Sequence, residues 1–226
     1  MNMILVAGLG IASAEAATIN FDTDASDNPI NALDLFVNTT RLADLYAPLG
    51  VDFSGSGGND GGVILNQSGN FDIDARSGLN FLVFNRDARL SDGGVPTDPE
   101  TITFNTLLNS VSIFAASAND TATFTLEAFD RNNLLVGSNT ITTQPSTYSQ
   151  LSVSSASGNI SRIVLTSRDD NYFVYDDLSF TPVPEPSSVL GTLTFGVLGT
   201  SYMLKHKLKK QKSVSTIRNS QFAIRN

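Results

Sequence analysis

The sequence predicts an all-β domain, an antiparallel two-sheet sandwich, followed by a single C-terminal transmembrane helix. Three observations predict it. Between Thr18 and Thr181 the apolar residues recur in short runs of period two, separated by Gly, Asn, Asp, Ser and Pro, which is the pattern of half-buried strands and turns. From Thr101 these runs lengthen, and across residues 122–181 the turns come at the spacing typical of sandwiches. Beyond them an uncharged stretch, Ser187 to Leu204, runs directly into Lys205, Lys207, Lys209, Lys210 and Lys212.

The chain opens with Met1 to Ala16, whose apolar run at residues 3–12 and small-x-small Ala14-Glu15-Ala16 fit a signal peptide removed before Ala17. No Lys or Arg precedes the apolar run, so the leader reads as truncated at its start. Thr18 to Asp22 is the first strand candidate, and Asp22 to Pro29 is a polar loop. Leu33 to Leu45 is mixed and fits a short helical turn. Gly50 to Phe53 is a short strand. Residues 54–62 hold five glycines, whose ordering cost argues for a loop. Val63-Ile64-Leu65 and Leu79 to Asn85 follow, the latter apolar on both faces and therefore central, before a long turn region at 87–100.

From Thr101 the strands are clearer. Thr101 to Phe104 leads into Leu108 to Ala116, with Val111, Ile113 and Ala115 on one face. In Ala122 to Asp130, Phe124, Leu126 and Ala128 share one face, and Phe129 falls on the polar one. A turn at Arg131-Asn132-Asn133 makes a hairpin with Leu134 to Ile141. Tyr148 to Val153, Ile160 to Ser167 and Tyr172 to Thr181 complete the domain, which spans 18–182.

Composition excludes several functions. From Ala17 to Ser187 there are 21 acids against 7 arginines and no lysine, a net charge of −14, which argues against a nucleic acid partner. There is no cysteine, so no disulfide staples the domain. The one histidine, His206, lies in the lysine cluster, which leaves the domain without the base of a Ser-His-Asp triad and without His or Cys ligands for zinc. Carboxylate chemistry remains: 18 aspartates with Glu100, Glu127 and Glu185. A glycan hydrolase needs two of them facing across a cleft at about 5–10 Å, and no hydrolase motif surrounds any pair.

Residues 183–212 join three parts in a fixed order: Val183 with the turn Pro184-Glu185-Pro186, the uncharged run, and the lysine cluster. About 18 residues at ~1.5 Å each is the lower limit for crossing a hydrocarbon core of roughly 30 Å, and the lysines behind the run keep that end cytoplasmic. The arrangement resembles the PEP-CTERM sorting signal of exported bacterial proteins. The resemblance implies that an exosortase-type enzyme recognises Val183-Pro184-Glu185-Pro186 and processes the chain nearby. The protein would then pass to the cell envelope or extracellular space after transient anchoring in the cytoplasmic membrane. An ordinary tail anchor is the other reading of the same residues. The family stops soon after its basic cluster, whereas this chain continues from Ser213 to Asn226, a tail with no assigned role.

The closing run Tyr172 to Phe180 is similar to the last strand of jelly-roll domains of the carbohydrate-binding-module type. The opening Ile19-Asn20-Phe21-Asp22 and the Leu135-Val136-Gly137 hairpin resemble those of PEP-CTERM cargo domains. This likeness implies a jelly roll whose first and last strands are neighbours, with a non-catalytic role in which extracellular polysaccharide is the partner. A purely structural surface protein is the alternative.

The run Asp22-Thr23-Asp24-Ala25-Ser26-Asp27 puts oxygens at alternate positions on a loop, which suits a hard cation such as Ca²⁺. The loop is no EF-hand: Asp27 stands at the glycine position and Leu33 at the twelfth. Asp176-Asp177 is a second acidic pair, whose two side chains point to opposite faces in a regular strand. Given neighbouring first and last strands, Asp177 joins Asp22 and Asp24 in a structural Ca²⁺ site pinning the two ends together; a solvated turn and a loop cap are the bland reading. Gly57 to Gly62 matches one turn of a calcium-binding nonapeptide repeat, but a single copy cannot stack, so it reads as a loop. With no Trp, sugar stacking would fall to Tyr46, Tyr148, Tyr172, Tyr175 or Phe129, unless these fill the core.

Overall fold

The computed structural model describes residues 15–32, 40–42, 44–55, 61–69, 72–84, 99–168 and 172–184. Almost all of the leader, Glu185 and Pro186, the uncharged run, the lysine cluster, the tail and most of the glycine loop lie outside them. Among the described residues, no helix is long and apolar enough to cross a membrane. Residues Ala14–Val183 form one compact unit.

The unit is all-β. Its strands are β1 (Ala17–Ile19), β2 (Thr40–Arg41), β3 (Val51–Ser54), β4 (Val63–Asn66), β5 (Asn80–Val83), β6 (Glu100–Ser117), β7 (Ala122–Phe129), β8 (Leu135–Thr143), β9 (Ser149–Ser154), β10 (Ile160–Ser167) and β11 (Phe173–Pro182). All pairings between them are antiparallel. Hydrogen bonds run along the path β2-β4-β5-β11-β6-β10-β7-β8, with β1 attached to β11 and β3 and β9 attached to β6.

Strand β6 shows how this path closes around a core. The sequence reads it as two runs; the structure makes it one strand of 18 residues. Its first part pairs with β3 and β10, and its second part with β9 and β11. Between them the β10 register jumps from Thr103 opposite Arg162 to Leu108 opposite Ile160, an irregularity at which the strand bends. Phe124 of β7 and Tyr175 of β11 lie three strands apart along the path, which in a flat sheet is roughly 14 Å. Their rings are 5.7 Å apart, and Phe124 also meets Phe173 at 6.1 Å. The sheet is therefore folded over on itself, with β3, β10, β7 and β8 facing β9, β11, β5 and β4.

The alternating residues read from the sequence line the space between the layers. Phe124, Leu126 and Ala128 are buried there, as are Val111, Ile113 and Ala115. A second, smaller apolar cluster lies on the other face of β4, β5, β6 and β11, built on Val63, Leu65, Phe81, Val83, Ala116 and Val174. Its cover is the segment at 72–79, which contributes Ile73 and the half-buried Ala75. This explains why β4 and β5 are apolar on both faces: one face fills the sandwich, the other the small cluster.

The first and last strands are neighbours, as the resemblance implied. Ala17, Thr18 and Ile19 stand opposite Phe180, Ser179 and Leu178. The first strand is shorter than the sequence indicated, because Phe21 adopts φ +62° and turns the chain out of the sheet. Its ring stays buried against Tyr46 and Phe53.

Candidate functional site

The segment at 74–80 belongs to no strand until Asn80, so its backbone N–H groups need partners from elsewhere. Side chains from several elements supply them. The Ala75 N–H donates to Gln67 Oε1 at 2.8 Å. Those of Arg76 and Ser77 donate to Asp176 Oδ2 at 2.9 and 3.2 Å. Those of Leu79 and Asn80 donate to Asp22 Oδ1 at 2.9 and 3.2 Å. On the acceptor side, the Tyr148 hydroxyl donates to the Asp74 carbonyl at 3.1 Å.

Asp177 completes the fastening. One carboxylate oxygen pairs with the Arg76 guanidinium, and the other accepts from Ser77 Oγ at 2.7 Å. The regular alternation expected at Asp176-Asp177 is absent. Asp177 adopts φ +49° within an irregularity of β11 between Asp176 and Ser179, so both carboxylates reach the same segment. Both residues are buried. Burial raises the Asp176 pKa to about 7, helped by the Asp177 charge and opposed by the N–H groups that Asp176 accepts from. Burial likewise pushes the Tyr148 hydroxyl far above its ordinary value, with Asp176, Asp177 and Asp74 adding to it.

Once fixed, residues 72–76 form one wall of an open cleft of about 530 Å³, with Gln67, Ser146 and Tyr148 as its other lining residues. Asp72 and Asp74 are exposed, while Gln67 and Tyr148 are half-buried. Among the described residues Arg76 is the one cation of this lining, and its charge is turned elsewhere: the guanidinium carbon lies 3.4 Å from the centre of the Phe114 ring and an N–H meets Asp177. Carboxylates, an amide, a hydroxyl and an aromatic edge on an open rim are the groups that hydrogen-bond polyols and stack on sugar rings.

Of the carboxylates the sequence picked for a cation, Asp22 and Asp177 do converge, but on the segment at 76–80. Asp24 instead closes its own loop, accepting from the backbone N–H groups of Ser26 and Asn28 and from Asn28 Nδ2. These hydrogen bonds hold its carboxyl below the usual range, that from the Asn28 side chain most of all. Among the described residues no three His, Cys, Asp or Glu side chains are gathered around one point. The tie between Asp22, Asp177 and the segment at 76–80 is made in this structure by hydrogen bonds and Arg76. Val183 and Pro184, where the sequence leads one to expect a sorting motif, are half-buried, and the Val183 N–H donates to the Leu107 carbonyl at 2.8 Å.

The stacking candidates divide cleanly. Tyr46 and Tyr175 are core residues. Tyr148 edges the cleft, and Tyr172 is 40 % exposed. Phe129 lies on the outer face of its strand as expected, with the Arg162 guanidinium carbon 4.1 Å from its ring centre. Sequence reasoning missed Gln67, Arg76 and Ser77. Nothing in their local pattern marks them: Arg76 and Ser77 matter through Asp177, about 100 residues away, and Gln67 through the Ala75 N–H across an irregular loop.

No family model matches the chain, and no curated protein matches it. Several solved structures are similar in shape. The K1 cleaved adhesin domain of Lys-gingipain from Porphyromonas gingivalis W83 has 14% identity, over 75% of this chain and 99% of that one, with a TM-score of 0.45. The carbohydrate-binding and catalytic modules of a Clostridium thermocellum xylanase, complexed with xylohexaose, have 13% identity over 76% of this chain and 29% of that one, with a TM-score of 0.34. A family 11 carbohydrate-binding module of a cellulosomal cellulase from Clostridium thermocellum has 11% identity over 78% and 92%, with a TM-score of 0.22. These scores are too low for any property of those proteins to be carried to this one.

Proposed function

We propose that this chain is an exported cell-envelope or extracellular-matrix protein whose jelly-roll domain binds polysaccharide without cleaving it, in the cleft beside residues 72–76. The observation that carries the reading is the built wall of that cleft. A segment with no strand partners is held by Gln67, Asp22, Asp176, Asp177 and Tyr148, and it presents polar groups to an opening of oligosaccharide size. The order of Val183-Pro184-Glu185-Pro186, apolar run and lysines supports delivery by an exosortase-type enzyme, with the cytoplasmic membrane as a transient anchor.

Affinity electrophoresis of the full chain, in gels containing the exopolysaccharide of its own host, tests the binding. Retardation is the expected result. Unchanged mobility across a graded series of polysaccharide concentrations contradicts the reading, and release of reducing sugar during the run would point to a hydrolase using Asp72 and Asp74 instead. Mass spectrometry of the protein recovered from the host envelope tests the sorting. A carboxyl end near Pro186 is expected; an uncut chain ending at Asn226 overturns it.

A further inference from the structure

We propose that Asp177 determines which glycans the cleft accepts: by holding the Arg76 guanidinium on Phe114 it leaves Asp72 and Asp74 to set the charge of the opening, which then takes neutral or amino-bearing glycans and turns away uronate-rich or sulfated ones. The inference rests on the glycan reading above and deepens it.

Arg76 is 38 % exposed at its side chain, so it has the freedom to face a ligand. Its guanidinium nevertheless contacts Asp177 and Phe114, and neither of these lines the cleft. An arginine paired with a carboxylate has its charge offset, and stacking on a ring fixes the plane in which its other N–H groups point. Among the described residues, the other charged members of the lining are Asp72 and Asp74, both exposed. Like charges brought together in a partly enclosed site repel, and more strongly where solvent is excluded. The surroundings add to this bias, since the region from Ala17 to Ser187 carries −14 and has no lysine.

Asp177 is thus a positioning residue, acting through Arg76, and its role is readable as a change of specificity and not only of stability. The test applies the full chain, in a polyoxyethylene detergent free of sugar, to a glycan array holding neutral, amino-bearing, uronate-bearing and sulfated oligosaccharides. Signals are expected on neutral or amino-bearing glycans, with acidic ones at least roughly tenfold weaker at low salt, and the gap closing at high salt. In Asp177→Asn the released Arg76 should raise acidic-glycan signals at least about threefold relative to neutral ones. Because Asp177→Asn also loosens the segment, the double variant Asp72→Asn/Asp74→Asn, at two exposed positions, provides the second arm and should narrow the same gap. A wild-type chain that binds acidic glycans best overturns the inference while leaving glycan binding intact. So does an ordering of glycans unchanged in both variants. Failure to bind any glycan on the array overturns the inference together with the reading it rests on.

Discussion

Asp177 and Arg76 are 101 residues apart in sequence, yet their side chains pair on the outer face of β11 and fasten the segment that walls the cleft. An ion pair with one partner 38 % and the other 10 % exposed is neither a solvated surface pair nor a fully buried one. Its value therefore lies mainly in what it holds in place: Ser77 Oγ and the turn that follows.

Replacing Asp177 by Ala should cost about 1–3 kcal/mol, since it strands Arg76 and the Ser77 hydroxyl together. Urea unfolding of the variant measures this. A double-mutant cycle with Arg76→Ala should return a coupling of roughly 0.5–2 kcal/mol. Additive losses in that cycle would mean that the two residues act independently.

Stability should depend on pH through Asp176. Its folded-state pKa, about 7, lies above the ordinary 3.8, so the folded chain holds a proton that the unfolded chain gives up. The sign follows: between about pH 4 and pH 7 this group makes the fold less stable as pH rises, by at most ~1.4 kcal/mol per pH unit, and the stabilising effect of its proton is gone above pH 7. Thermal unfolding of Asp176→Asn should lose this slope whatever its midpoint. An unchanged slope would place the titration elsewhere.

Gly78 adopts φ +58°, and a Cβ on it would overlap the Asp22 carboxylate that receives the Leu79 and Asn80 N–H groups. Both the left-handed conformation and the overlap penalise Gly78→Ala, by about 1–3 kcal/mol together. Circular dichroism melting reads the loss. Gly137→Ala, in β8, meets only Val153 Cγ1 at 3.0 Å and should cost less.

The strands were legible in the sequence to within a residue or two wherever one face is dry. Phe124, Leu126 and Ala128 alternate because one face of β7 meets the core, and Ile160 to Ser167 is the observed β10. Strand β6 was read as two, since the polar stretch around Asn105 and Thr106 marks the bend at which it changes partners, not an end. The adjacency of the first and last strands came from resemblance and is present. The cleft was not legible. Alternation at Asp176-Asp177 was broken by backbone geometry at Asp177, and the tolerance of Asp for a positive φ is too weak a mark to reveal this inside an apolar strand. Asp22 was recognised as important, but its acceptors' role toward Leu79 and Asn80 depends on folding that brings residues 57 and 58 positions apart together.

Amide hydrogen exchange across Ala75, Arg76, Ser77, Leu79 and Asn80 tests the central claim most directly, because these N–H groups are held by side-chain oxygens. In the full chain they should be protected well beyond free-peptide rates, and Asp22→Ala should release Leu79 and Asn80 while sparing Ala75, whose partner is Gln67. Exchange at free-peptide rates in the unaltered protein would contradict the account, for the cleft would then have no fixed wall.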